Sequence, residues 1–292
     1  MNLIFAPERN DRTTEFESIV QCQRDYWNTL ARNIDDDIAA NHWVTEENLP
    51  VSSALFSEIA EFLVGEFLGQ RAGANVLEVG CGNGLILDQL GSQWNLFGAD
   101  VSSEMLSRAV VKVATLYCCD ATSIPCEDRS FDLIYMHSVV QYFGSDEYLD
   151  RVMAECCRLL KPGGSLCLMD VPIRWYQHLM SSPPSWRSKL KQGVKWAIGF
   201  LPVRMQQAAR RPRRVQEQIC GRTVCVPAVR GFYADPDYFR KFESQFAKIS
   251  IELQPFPHKP TIYKKFRFNI ILRNRRETVP ASSETARQSR DA

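Results

Sequence analysis

Val76-Leu77-Glu78-Val79-Gly80-Cys81-Gly82-Asn83-Gly84 decides how this chain is read. An apolar run containing one acid ends in glycines at alternate positions, and Leu85, Ile86 and Leu87 then restart an apolar pattern that closes at Gly91. The spacing predicts a buried strand, a tight glycine turn and then a helix. Glycine reaches positive φ and lets a ligand approach the main chain closely. The N–H groups that open the following helix have no partner within it, so they face whatever the turn holds.

A dinucleotide turn would read G-x-G-x-x-G. Here the third glycine arrives one residue early, at Gly84, and Leu85 takes its slot. An acid at Glu78 would repel a pyrophosphate and suits a ligand carrying an ammonium group. The stretch resembles motif I of the class I S-adenosylmethionine (SAM)-dependent methyltransferases. That resemblance implies SAM as cofactor, with Glu78 holding the methionyl ammonium directly or through water. It also implies that the Gly80-Cys81-Gly82 and Gly84 backbone passes beneath the methionyl part.

Downstream, Asn95-Leu96-Phe97-Gly98-Ala99-Asp100 reads as a second strand ending in an acid. Ser102 or Ser103 then caps a helix through Met105, Leu106, Ala109 and Val110. An acid at this strand end accepts hydrogen bonds from ribose hydroxyls in nucleotide-binding α/β folds; a helix-capping aspartate is the alternative. Leu116 to Ala121 looks like a third strand. The resemblance implies that Asp120 meets the adenine amine, with Val101, Met105 and Ala121 alongside the cofactor.

Phe131-Asp132-Leu133-Ile134-Tyr135-Met136 is similar to the family's fourth strand. His137 follows at its carboxyl end, where open parallel sheets bind ligands. It is a cofactor or substrate contact and the first candidate for general base, with Tyr142 and His178 as alternatives; a structural histidine is the competing reading. Cys126 reads as a structural loop residue. Ser145 caps a helix carrying Leu149, Val152, Met153, Cys156 and Leu159, which Lys161-Pro162-Gly163-Gly164 stops. Ser165 to Asp170 is a fifth strand. Leu-Leu-Lys-Pro-Gly-Gly before a strand is the second family resemblance.

Around this core, residues 1–50 predict one or two short helices, and Phe56, Ile59, Ala60, Leu63 and Phe67 a further amphipathic helix. From Val171 to Gln216 there are ten Lys or Arg and no Asp or Glu. Trp175, Tyr176, Trp186, Trp196 and Phe200 are interleaved there, and residues 189–201 suggest an amphipathic helix. Such a segment suits an anionic membrane surface or an anionic substrate; a solvated lid is the bland alternative. Asp235 starts a helix reaching Phe246, and two alternating runs, 247–256 and 265–272, make an antiparallel pair.

The expected fold is a doubly wound, mostly parallel α/β sheet of about seven strands, Rossmann-like, with an antiparallel last strand. Its expected divisions are a helical cap (1–70), a SAM-binding core (71–172), a basic aromatic lid (173–227), the rest of the core sheet (228–273) and a disordered tail (274–292). A hydrophobic share of 45% and a charged share of 24% suit a soluble globule. Met1 to Arg12 has no basic region followed by an apolar core, so no secretory signal is expected, and no apolar run reaches a membrane span. The ten cysteines show no C-x-x-C pair, so no metal is expected and reduced thiols in a cytoplasmic protein are.

The resemblance points to the small-molecule branch of the family, methyltransferase type 11 or 12. It implies O-methylation of a sugar, lipid or polyketide-like acceptor, with peripheral contact at an inner membrane face through 174–214 as one reading. A nucleic-acid methyltransferase using the cations as a backbone clamp is the alternative. No Asn-Pro-Pro-Tyr-type motif is present, so nucleic acid is not the expected partner. A NAD-dependent oxidoreductase is a third class, and Leu85 argues against it.

Overall fold

The computed structural model describes residues 2–5, 14–32, 54–172, 215–219, 222–226, 234–253 and 267–277. An eight-stranded sheet is its centre. The strands are β1 (Asn2–Phe5), β2 (Asn75–Val79), β3 (Asn95–Asp100), β4 (Ala114–Cys118), β5 (Phe131–His137), β6 (Leu160–Pro172), β9 (Phe246–Leu253) and β10 (Arg267–Arg275). Their order is β1-β4-β3-β2-β5-β6-β10-β9. Every pair from β1 to β6 is parallel, and β10 runs antiparallel to both its neighbours. The mostly parallel, doubly wound sheet is therefore as expected, with one strand more.

The extra strand is β1, which pairs Asn2 to Phe5 with Thr115 to Cys118. The expected helices of residues 1–50 are represented by α1 (Thr14–Arg32). Four residues carry too little periodicity to announce a strand, and β1 exists because the open edge of β4 accepts it.

Both faces of the sheet are covered, so its central strands are continuously apolar rather than alternating. On one face Leu77, Val79, Ile134, Met136, Leu166 and Leu168 pack with Leu149, Val152, Met153 and Cys156 of α5 (Asp146–Leu159). On the other, Val76, Leu133, Tyr135 and Cys167 pack with α2 (Ala54–Leu63) and α3 (Leu85–Leu90). Val64–Leu68 extends α2 as a π-helical turn. Ser145 caps α5, its hydroxyl accepting from the Tyr148 N–H at 3.1 Å. At the amino ends of the strands, Asp132 joins three segments by accepting from the Asn75 N–H (2.9 Å) and the Lys161 ammonium (2.6 Å).

Three expected boundaries shift. The helix after β3 is α4 (Ser103–Ser107) and stops short of Val110. The Val110 N–H donates instead to the Asn83 carbonyl in the glycine turn (2.9 Å), which pulls the chain out of the helix. β4 ends at Cys118 rather than Ala121, because Asp120 turns the chain by accepting from the Thr122 N–H at 2.8 Å. The segment after Asp235 is a 3-10 helix, Pro236–Phe242, that ends before Phe246 opens β9.

Within the expected basic lid, the described part is a hairpin of β7 (Val215–Ile219) and β8 (Arg222–Val226), with β8 beside α1. The expected amphipathic helix at 189–201, His178 and the segment 174–214 as a membrane contact lie outside the described residues, as do 278–292 of the expected tail. β10 reaches Arg275, inside that tail. Among the described residues no helix is long and apolar enough to cross a membrane.

Candidate functional site

The strand order reverses between β2 and β5, and in open α/β sheets ligands bind outside the carboxyl ends at such a switch point. The glycine turn sits there. Gly80, Gly82 and Gly84 have φ of +75°, +55° and +75°. A Cβ on Gly80 would lie 2.4 Å from Val139 Cγ2, just past β5, so the turn and the β5 loop close on each other only because no side chain intervenes. Gly84, left-handed, stands before the first turn of α3, whose opening N–H groups have no partner within the helix.

Asp100, at the end of β3, braces the turn. Its Oδ2 accepts from the Gly82 N–H and its Oδ1 from the Ser102 N–H, each at 2.8 Å. Burial raises its carboxyl above the ordinary value, and the backbone donors of Ser102, Gly82 and Val101 oppose that rise. Ser102 caps α4 through the Met105 N–H (3.1 Å). Cys81 is buried with its sulfur over Gly98, where a Cβ would meet it at 2.7 Å. That makes Cys81 a packing partner of β3 beneath the turn. Val101 is half-buried and Met105 buried beside them.

Glu78 is 3% exposed. Its Oε2 accepts from the Tyr135 hydroxyl at 3.0 Å, and the Leu87 N–H of α3 also stabilises it. Burial lifts its carboxyl well above the usual range. Asp120 accepts from the Thr122 N–H and hydroxyl on Oδ1 and from the Tyr148 hydroxyl on Oδ2, beside half-buried Ala121. The three acids thus lie near the carboxyl end of β2, at that of β3 and in the turn just after β4.

His137 is the last residue of β5, buried at 3% exposure and in register with Met169 of β6. Tyr142 lies on the 3-10 turn that follows. Helix α1 reaches across to it: Gln23 Nε2 donates to the Tyr142 carbonyl, and Trp27 meets the Tyr142 ring edge-to-face at 5.3 Å. One turn further on, Asn28 Oδ1 accepts from the Ser102 hydroxyl (2.7 Å) and the Glu104 N–H (3.2 Å), and Arg32 pairs with Glu104 at 2.7 Å. So α1 bridges the ends of β3 and β5.

Several neighbours of the site carry no local sequence signal. Ser138, Asp170, Gln141, Arg267 and Asn269 form one polar cluster, in which Asp170 and Asn269 are buried and the others half-buried. The Ser138 hydroxyl donates to Asp170, Arg267 donates to Gln141 Oε1 (2.7 Å) and to the Asp170 carbonyl (3.1 Å), and the Asp170 N–H donates to Asn269 Oδ1 (3.3 Å). Tyr135 and Tyr148 read in sequence as ordinary core aromatics; their partners lie on other strands. Burial raises the Cys119, Cys126 and Cys156 thiols, which keeps them neutral. Among the described residues no group of His, Cys, Asp and Glu is arranged to hold a metal.

Residues 77–168, from the glycine turn to β6, match the family model described as "Methyltransferase domain". They are a methyltransferase domain. The chain is 31% identical over 181 residues to the "Probable tRNA methyltransferase 9B" of Bos taurus, covering 62% of this chain and 37% of that protein. It is 32% identical over 99 residues to the malonyl-[acyl-carrier protein] O-methyltransferase of Methylococcus capsulatus, covering 30% of this chain and 34% of that protein. The chain thus covers roughly a third of these two relatives, 37% and 34% of their lengths. The N-methyltransferase NodS of Bradyrhizobium japonicum WM9, crystallised with S-adenosyl-L-homocysteine, has the same fold: TM-score 0.51, 14% identity, covering 87% of this chain and 100% of that one.

The motif I resemblance of the glycine turn implies SAM as the cofactor. The residues present fit it. Gly80, Gly82 and Gly84 put no side chain into the left-handed turn that follows β2, and the carboxylates of Glu78, Asp100 and Asp120 lie near the carboxyl ends of β2, β3 and β4.

Proposed function

We propose that the protein transfers the methyl of SAM to an oxygen of a small-molecule acceptor, a hydroxyl of a sugar, lipid or polyketide-like compound. The observation that carries this is that Glu78, Asp100 and Asp120 lie near the carboxyl ends of neighbouring strands beside the glycine turn. In that reading Glu78 takes the methionyl ammonium, the Gly80-Cys81-Gly82 and Gly84 backbone runs under the methionyl part, Asp100 takes the ribose hydroxyls and Asp120 the adenine amine. Val101, Met105 and Ala121 complete the cofactor wall. SAM supplies an already activated methyl, so the protein's own work is positioning and exclusion of water.

A hydroxyl acceptor must also lose its proton. His137, at the β5 end, is the base in this reading, with Tyr142 alongside. The resemblance to an acyl-carrier O-methyltransferase supports transfer to oxygen. The cationic segment 174–214 is read as the acceptor-side contact, whether the acceptor is free or held at an anionic membrane face.

Calorimetry with S-adenosylhomocysteine tests the core of the proposal: binding is expected, and Asp100→Ala is expected to weaken it about tenfold or more. Unaltered affinity in that variant refutes the ribose role. Loss of liposome binding in a Lys189, Lys191 and Lys195→Glu variant supports membrane docking, and equal partitioning removes it.

A second reading is favoured by two observations, the resemblance to a probable tRNA methyltransferase and the ten cations of 171–216. There the acceptor is RNA, and binding of unmodified tRNA falls steeply with salt. Salt-independent or absent tRNA binding rejects it.

A further inference from the structure

Glu78 and Tyr135 are register partners on neighbouring parallel strands, and their side chains share one face of the sheet. Glu78's partner on the other side is Gly98, which offers no side chain. The carboxylate therefore has one polar strand neighbour, and the Tyr135 hydroxyl donates to its Oε2 at 3.0 Å. Tyr135 is fully buried, with 0% exposure, in the apolar layer formed by α2 and α3. A phenol and a carboxylate both removed from water are costly unless bonded to each other. A phenylalanine would fill the same volume without that cost, so the position points to use of the hydroxyl.

We propose that Tyr135 is a positioning residue for the amino-acid end of the cofactor, its hydroxyl fixing the Glu78 carboxylate in one rotamer beside the glycine turn. This rests on the reading that Glu78 receives the methionyl ammonium. The Leu87 N–H of α3 also favours the charged form of this carboxylate, so a strand and a helix start both stabilise it. Loss of the hydroxyl frees the rotamer and weakens capture of an ammonium.

The hydroxyl also bears on charge. Burial pushes the Glu78 carboxyl up, Tyr135 and the Leu87 N–H oppose this, and Asp100 adds to it. The other titratable group facing Glu78 among the described residues is the Cys81 thiol, which burial keeps neutral. Without the Tyr135 donor the carboxyl rises further and is more often protonated, and a neutral acid does not pair with an ammonium.

The test is calorimetry on the full chain with two probes that share adenine, ribose and thioether: S-adenosylhomocysteine and 5′-methylthioadenosine, which lacks the amino-acid end. Tyr135→Phe is expected to weaken the first about tenfold, the scale of one hydrogen bond to a charged group, and to leave the second unchanged. The deficit is expected to shrink as pH rises. Wild-type affinity for both probes at every pH overturns the proposal, as does an equal loss for both. Glu78→Gln separates the two levels. A selective loss there with none in Tyr135→Phe sinks the tyrosine's role alone; no selective loss there sinks the Glu78 reading and this proposal with it. Should Tyr135→Phe fail to fold, Tyr135→4-aminophenylalanine retains a neutral donor at the same place and is expected to keep the preference for S-adenosylhomocysteine; equal binding of the two probes by that variant overturns the proposal.

Discussion

Ser138 and Asp170 meet from the ends of neighbouring strands, the serine hydroxyl donating to the aspartate, and both hold left-handed backbones, with φ of +57° and +59°. Non-glycine residues in that region cost energy that their surroundings must offset. Here the offset is the hydrogen bond itself, together with the Ser138 N–H to the Met169 carbonyl (3.1 Å) and Arg267 at 3.9 Å from Asp170 Oδ1. Ser138→Ala keeps the strain and loses the hydroxyl, so it is expected to cost about 1–2 kcal/mol. Ser138→Gly loses the hydroxyl and removes the strain, so it is expected to be close to neutral. Asp170→Ala keeps the strain, removes the acceptor of the Ser138 hydroxyl and takes the carboxylate from beside Arg267, and is expected to cost about 2–3 kcal/mol. Urea midpoints of the three variants check the order.

Gly80 permits the approach of Val139. Gly80→Ala adds a methyl 2.4 Å from Val139 Cγ2 at a φ of +75°. The expected loss is about 2–4 kcal/mol, combining left-handed strain with overpacking. In Gly80→Ala/Val139→Ala only the overpacking is relieved, so recovery is expected to be partial. Thermal melts of both variants, with and without S-adenosylhomocysteine, measure this.

Arg158 ties down the loop that leads into β5. Its guanidinium pairs with Glu155 at 2.8 Å and Asp128 at 2.7 Å and donates to the carbonyls of Cys126 (2.8 Å) and Ile124 (3.0 Å). The group is one-third exposed, at 33%, which discounts the ion pairs. Arg158→Ala is expected to cost about 1–2 kcal/mol, mainly through the two carbonyls. Faster tryptic cleavage after Arg129 is the expected sign; an unchanged cleavage rate and urea midpoint would show that the loop holds itself.

The pH dependence of stability isolates Glu78. Its folded carboxyl lies well above the ordinary 4.5, chiefly through burial. The folded state therefore keeps a proton that the unfolded chain has released. Stability from this group is greatest below 4.5 and declines as pH rises towards the folded value, at about 1.4 kcal/mol per pH unit. Urea midpoints of wild type minus those of Glu78→Gln are expected to fall across that window. A flat difference would mean that the carboxyl is not displaced.

The strand, glycine turn and helix at 75–90, the acids of β3 and β4, the capped helix α5 and the antiparallel closing pair could all be read along the chain. Each is a local pattern: a period of burial, a glycine that must go left-handed, a serine before a helix. The helix after β3 ends earlier than its apolar spacing predicts for a reason that is not local, since the bond that ends it runs from Val110 back to Asn83.

By itself, then, the sequence determined the class of fold, the place of the turn and the order of the acids beside it. Tertiary structure decided that Asn2–Phe5 completes the sheet against β4, that Tyr135 lies against Glu78, and that Arg267 returns from 97 positions away to Asp170. Those pairings depend on which strand ends lie side by side, and strand order comes from burying both faces of the sheet at once rather than from any run of neighbouring residues.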